Sequence, residues 1–267
     1  MPVTGNNNLK DIDFSQSEQY TLSIRLSTDG FSFSVFNPHN DDSLSSIDYP
    51  IDETLSLTAN LKQTFRELTW INHTFRKVNI LIATRRFTLM PLEFFEDEQA
   101  ESIFYHNCSQ RDNELIQYNI LHKNNIVVLF GMDKSSHTFL TEQFPDARFY
   151  AQVSPFIDYL SAKSRLGNNQ KLYAHLHPHA IDLYSYERGH LLLCNSFECK
   201  ETTDSLYYIL YTWNLLNLNQ ERDELHLCGN LQGKEQLLDG LKKYIRRVFI
   251  MTPTENLDLQ AIVSLGE

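Results

Sequence analysis

The sequence predicts an α/β fold of two lobes, each a mixed sheet flanked by helices, built by using one unit twice. Residues 171–230 read as three short strands, a long amphipathic helix, and a fourth strand ending at Cys228-Gly229-Asn230. The same β-β-β-α-β order occupies residues 20–84, so the chain repeats itself. Its 267 residues suffice for two packed domains. The expected division is an N-terminal arm over 1–19, a first lobe over 20–166 with an inserted segment near 85–125, and a second lobe over 167–267.

The first 19 residues are rich in Asn, Asp, Ser and Gln, the composition of a loose arm. From Tyr20 the pattern alternates strictly. Leu22, Ile24 and Leu26 share one face, as do Phe31, Phe33 and Val35 after the turn Thr28-Asp29-Gly30, where glycine tolerates a positive φ. Leu44–Ile51 returns as a third strand. Thr54 is the expected cap of a helix reaching Phe75, with Leu57, Leu61, Phe65, Leu68 and Ile71 at helical spacing. Lys77–Thr84 is then a buried strand.

Beyond it, Phe87–Pro91 ends an element, Glu93–His106 reads as a short acidic helix, and Asn125–Met132 as a strand. Asp133 or Ser135 caps a helix through Phe144. Arg148–Val153 is a strand, and Pro155 opens a helix in its favoured first turn. Gly167-Asn168-Asn169 is the expected linker.

The order then restarts. Leu172–His177, Ala180–Tyr186 and His190–Phe197 are strands, with Arg188-Gly189 in the turn between the last two. Thr202 or Thr203 caps a helix whose inward stripe is Leu206, Ile209, Leu210, Trp213 and Leu216. Asp223–Cys228 is a strand. Gln232–Arg247 reads as a helix, its late Lys242, Lys243, Arg246 and Arg247 suited to the negative end of the dipole. Val248–Met251 and Leu257–Leu265 close the chain as a short strand and a helix or tail.

Charge and cysteine content exclude several function classes. Lys and Arg number 23 against 34 Asp and Glu, and the resulting net charge of −11 repels phosphate backbones. That argues against a general nucleic-acid or anionic-membrane binder. No window reaches the length of a membrane span. The N-terminal residues lack the apolar core of a secretory signal. Cys108, Cys194, Cys199 and Cys228 are scattered without a CxxC pair, so reduced thiols in the cytoplasm are expected. The alternative is a Cys194–Cys199 disulfide, joining a strand end to the following turn.

Sites are sparse. His175, His177 and His179 recur at period two, which places three imidazoles on one strand face, a zinc- or nickel-chelating pattern. Pro178 interrupts the strand and no carboxylate at fixed spacing completes the set. The expectation is therefore no metal. There is no GxSxG, P-loop, GxGxxG or HExxH. Lys242, Lys243, Arg246 and Arg247 read as a solvated helix end. Tyr184, Tyr186, Tyr207, Tyr208 and Tyr211 read as core packing, and an exposed subset would suit a partner surface.

The doubled β-β-β-α-β-α order resembles the duplicated ribonuclease H-like core of the actin-like ATPase superfamily, from Tyr20 to about Met251. In detail it looks most like a bacterial family of uncharacterised proteins with an actin-like ATPase fold, distantly similar to pilus-assembly and cell-division members. The resemblance implies ATP held between the lobes by two hairpin phosphate loops and a glycine pair under the adenosine. Such loops turn backbone N–H groups toward phosphate oxygens, and carboxylates hold Mg²⁺ through water.

The positions matched are Asp29 and Gly30, Asp182, and Gly229, and each departs from the pattern. Phe31 follows Gly30 where bare backbone is needed. The second Asp-x-Gly becomes Asp182-Leu183-Tyr184, or shifts to Arg188-Gly189. Gly229 stands alone, followed by Asn230. Phe31, Leu183 and Tyr184 are expected to crowd the phosphate volume. The reading is a non-catalytic interaction or scaffold protein with degenerate nucleotide motifs, an unidentified protein partner and no cofactor. The alternative is a divergent ATP-binding protein or ATPase, with Mg-ATP in the inter-lobe cleft.

Overall fold

A computed structural model describes residues 12–39, 43–252 and 256–264. The chain forms two compact units, Met1–Pro155 with Asp258–Glu267, and Phe156–Leu257.

In the first unit β1 (Thr21–Ser27) and β2 (Gly30–Asn37) make the expected hairpin, and β3 (Ser43–Tyr49) adds to it. Helix α1 (Leu57–Glu67) leads to β4 (Lys77–Ile82), which runs parallel to β1. One face of this sheet pairs Leu22 with Val35, Ile24 with Phe33 and Leu26 with Phe31, all buried. Phe65 of α1 meets Phe33 edge-on at 6.2 Å.

An inserted antiparallel sheet follows, with β7 (Ile126–Asp133) between β5 (Phe87–Pro91) and β6 (Glu114–Leu121), and α2 (Ala100–Asn107) packed on it. Helix α3 (Lys134–Gln143) and β8 (Arg148–Ala151) return the chain to the first sheet, whose order is β3-β2-β1-β4-β8.

In the second unit α4 (Val153–Ser164), whose first three residues count with the first unit, precedes β9 (Lys171–Leu176), β10 (Ala180–Glu187) and β11 (His190–Glu198). Helix α5 (Thr202–Leu215), β12 (Glu224–Gly229), α6 (Glu235–Lys242) and β13 (Arg247–Ile250) complete it. The sheet order is β11-β10-β9-β12-β13, with the first three strands antiparallel and β9, β12 and β13 parallel. This is the first sheet strand for strand, in the same order and direction, so the duplication is real.

The polar-looking face of the first sheet is closed by α7 (Leu257–Ser264). Its Leu259, Ile262 and Val263 pack on Phe36, Leu44 and Leu81. Beside them the Asp258 carboxylate, fully buried, accepts two bonds from Arg25 at 2.9 and 3.1 Å and one from Gln152 at 2.7 Å.

Several elements differ from expectation. The arm is not loose throughout. Phe14–Gln19 is a 3-10 segment whose Phe14 stacks on Trp70 at 5.1 Å, while residues 1–11 lie outside the described residues. Ser56 rather than Thr54 caps α1, its hydroxyl accepting the Ala59 N–H, and α1 ends at Glu67. Asp204, not a threonine, secures the start of α5 by accepting the N–H groups of Lys200 and Glu201.

Helix α6 stops at Lys242, because the Arg246 N–H is given to the Gln220 carbonyl and Arg247 begins β13 in register with Glu224 of β12. The unit division falls inside α4 rather than at Gly167–Asn169, since Phe156, Ile157 and Leu160 are buried beyond it. All four cysteines are free thiols, which removes the disulfide alternative.

Candidate functional site

The two faces of the second sheet differ in chemistry, and cross-strand register explains how. Leu172, Ala174 and Leu176 of β9, with Ile181 and Leu183 of β10 and Leu225 and Leu227 of β12, form an aliphatic core with Ile209 and Trp213 of α5. The alternate positions make the other face. Register sets Tyr173 opposite Tyr184 and His226, and His175 opposite Asp182 and Cys228. Helix α4 lies on this face. Phe156 stacks on His175 with ring centroids 4.7 Å apart, and the Tyr186 hydroxyl donates to the Ile157 carbonyl at 2.9 Å.

At the end of this face three side chains converge. His177 Nε2 and Asp182 Oδ2 are 2.7 Å apart, and the His175 and His177 rings lie at 4.2 Å. One ligand atom from each of His175, His177 and Asp182 lies within 4.8 Å of the others. Burial pushes the Asp182 carboxyl up. The charges of His177 and His175, and hydrogen bonds from His177 and Ser196, outweigh it and hold the group below the usual carboxylate range.

His179 is not part of this group. Pro178 ends the strand, and His179 is exposed, with its carbonyl accepting the Cys199 N–H. The carboxylate that spacing alone did not supply is Asp182, brought across by the β9–β10 register.

Gly229 belongs to the same neighbourhood. It ends β12 opposite Leu176 with φ +88°, and an added Cβ would lie 2.2 Å from the Leu176 oxygen and 2.7 Å from His175 Cδ2. The turn it permits lets the Asn230 N–H reach the Leu176 carbonyl at 2.8 Å. Asp182 and Gly229, two of the residues matched to a nucleotide site, thus flank His175.

Asp29 and Gly30 lie in the first unit, at the β1–β2 turn. Asp29 is exposed and its N–H donates to Ser27 Oγ at 3.1 Å. Gly30 is needed for packing, since a Cβ there would meet the Tyr49 carbonyl oxygen at 2.8 Å.

Phe31, Leu183 and Tyr184, the residues expected to crowd a phosphate volume, lie in the hairpin strands. All three are buried, Leu183 in the aliphatic core and Tyr184 against Phe156 at 5.6 Å. Strand alternation turns these side chains into the packed faces of their sheets. The tyrosine cluster divides. Tyr184 and Tyr186 are core, Tyr208 stacks on Phe197, and Tyr207 and Tyr211 are exposed.

His226, on the same face, stacks between Tyr173 at 4.9 Å and Phe249 at 5.1 Å. Burial holds its imidazole below the ordinary range, partly offset by Glu224 at 3.0 Å. A base depressed on folding contributes stability that is complete above its unfolded value, about 6.5, and is lost as pH falls below it. His226→Phe should therefore flatten the fall of the urea midpoint between about pH 7 and 5. An unaltered slope would assign the titration elsewhere.

Among the described residues no helix is long and apolar enough to cross a membrane. The family described as "Protein of unknown function (DUF3822)" matches residues 9–248. A solved structure from Bacteroides thetaiotaomicron VPI-5482, a protein with actin-like ATPase fold and unknown function, is 58% identical with a TM-score of 0.90, over 95% of this chain and 98% of that one. A PilM–PilN type IV pilus biogenesis complex matches at 12% identity and a TM-score of 0.57, over 90% and 89% of the two chains. The ethanolamine utilization protein EutJ from Carboxydothermus hydrogenoformans matches at 8% and 0.52, over 92% and 90%. Those two likenesses are of fold alone. No curated protein matches.

Proposed function

The chain belongs to the DUF3822 family of unknown function and has the actin-like ATPase fold, and from that premise we propose that it is a non-catalytic interaction or scaffold protein. It acts in the cytoplasm through a protein partner, and no nucleotide cofactor takes part.

The observation that carries this reading is the chemistry of the hairpin turns. A phosphate loop presents uncommitted backbone N–H groups. In the β9–β10 turn Pro178 has none, and the His177 N–H is donated to the Ala180 carbonyl at 2.9 Å. In the β1–β2 turn the Asp29 N–H is held by the Ser27 hydroxyl at 3.1 Å. An exposed run of Tyr207, Tyr211 and Leu215 along α5 supports a protein-contact role. The PilM–PilN structure is, by its own description, a complex.

Mg-ATP should not stabilise the protein specifically. A ligand at a hundred times its Kd adds about 2.7 kcal/mol, which in a domain of this size raises Tm by roughly 2–4 °C per kcal/mol. Millimolar Mg-ATP should instead shift Tm no more than Mg-tripolyphosphate does. A larger ATP-specific shift, abolished by Asp29→Ala or Asp182→Ala, would overturn the reading and establish the divergent ATP-binding alternative.

A further inference from the structure

We propose that His175, His177 and Asp182 form a binding site for a divalent transition-metal ion of the zinc class. The spacing of three histidines pointed to no metal, because the third histidine falls off the strand. The fold replaces that histidine with a carboxylate, and two imidazole nitrogens with one carboxylate oxygen are a donor set that suits zinc with one position left open.

The geometry fits such an ion with little movement. Metal–ligand distances of about 2.1 Å in a tetrahedron separate the ligand atoms by roughly 3.4 Å. The three ligand atoms here lie within 4.8 Å of one another, and the closest pair, His177 Nε2 and Asp182 Oδ2, is at 2.7 Å. An ion would replace that hydrogen bond by drawing His175 in and parting the other two by about 0.7 Å.

The site is also held in place from behind. The His175 ring is stacked by Phe156, tilted only 12° from it, and the Gly229 backbone closes on its edge. Ser196 on β11 stands directly opposite Asp182 in register, the place for an outer contact that orients a ligating carboxylate. Two ligands sit on or beside paired strands, where positions are better fixed than on loops. His177 is partly exposed and gives the ion a way in.

The duplication supplies a comparison. Arg25 holds the position in β1 that His175 holds in β9, and Ser32 the position of Asp182. In the first unit that place is closed by the Arg25–Asp258 pair. In the second unit it carries ligand-type side chains, and the Tyr184 hydroxyl two residues along β10 from Asp182 is buried with no hydrogen-bond partner among the described residues.

The test uses the full, untagged chain, stripped with chelator and titrated with Zn²⁺ and with Co²⁺. One equivalent of zinc should be retained on dialysis, and Co²⁺ should give the intense visible bands of a four-coordinate ion. His177→Ala and Asp182→Asn should each weaken Zn²⁺ binding by more than the roughly 10–100-fold typical of outer-shell changes, and Ser196→Ala within that range. His179→Ala should leave binding unaltered.

The wild-type titration needs no variant to fold. Absence of saturable Zn²⁺ and Co²⁺ binding overturns the proposal and leaves a His177–Asp182 ion pair. Binding that survives both ligand substitutions, or that is lost in His179→Ala, overturns it equally.

Discussion

Asp258→Ala is expected to lower the unfolding free energy by about 3–5 kcal/mol, the cost of removing one partner from a buried ion pair. The Asp258 side chain is fully buried and receives Arg25 in two-pronged fashion, with Gln152 as a third donor. Without the carboxylate, the Arg25 guanidinium keeps, among the described residues, Ser32 at 2.6 Å and the more distant Asp48 at 3.9 Å. The substitution also releases the first turn of α7, whose Leu259 and Ile262 cover the first sheet. Urea unfolding at neutral pH, with the m-value checked for constancy, measures the loss. A change under about 1 kcal/mol would mean the pair does not secure α7.

The second large effect is expected at Gly229. Alanine there keeps φ near +88° only at a cost of about 1–3 kcal/mol for the backbone conformation. Its Cβ would also overlap the Leu176 carbonyl oxygen at 2.2 Å and approach the Leu176 nitrogen at 2.9 Å, and neither can swing aside as a side-chain end could. The end of the β9–β12 pairing must then open, breaking the Asn230–Leu176 bond. The total should exceed about 3 kcal/mol, an exceptional value for one methyl group. A thermal melt as stable as wild type would refute the close approach. Gly233→Ala is the control, since φ is again positive but nothing lies within 4 Å.

Much of the fold was legible because its strands obey a period of two that burial enforces. Leu22, Ile24 and Leu26 had to face one way, and a one-residue slip would have exposed them all. The strand at Glu114–Leu121 escaped notice for the opposite reason. Its sheet is half-open, Tyr118 and Ile120 stay exposed, and little hydrophobic alternation is required of it. Helix ends were misread where long-range partners outbid local rules. Arg246 and Arg247 suit a helix terminus by sequence, but their backbone is taken up by Gln220 and by the pairing of β13 with β12.

The site was legible only in pieces. His175 and His177 stood out by spacing, and Asp182 was noted in a different role, as a phosphate-loop residue. What unites them is the register of one hairpin, which pairs His175 with Asp182. Nothing in the spacing of seven residues states that pairing, because it depends on how the Pro178 turn is closed by the His177–Ala180 hydrogen bond.

The return of α7 to the first unit has a consequence for how the protein is made. Arg25 and Asp258 are 233 residues apart in the chain, and the whole of 156–257 is translated between them. At about 5–20 residues per second, the first sheet emerges and then waits on the order of ten seconds or more for its covering helix. The later-born unit draws its aliphatic core from residues within its own span and can consolidate as soon as β13 is out. Assembly on the ribosome thus runs against the order of synthesis, and the earliest strands are the ones that most need shielding in the interval.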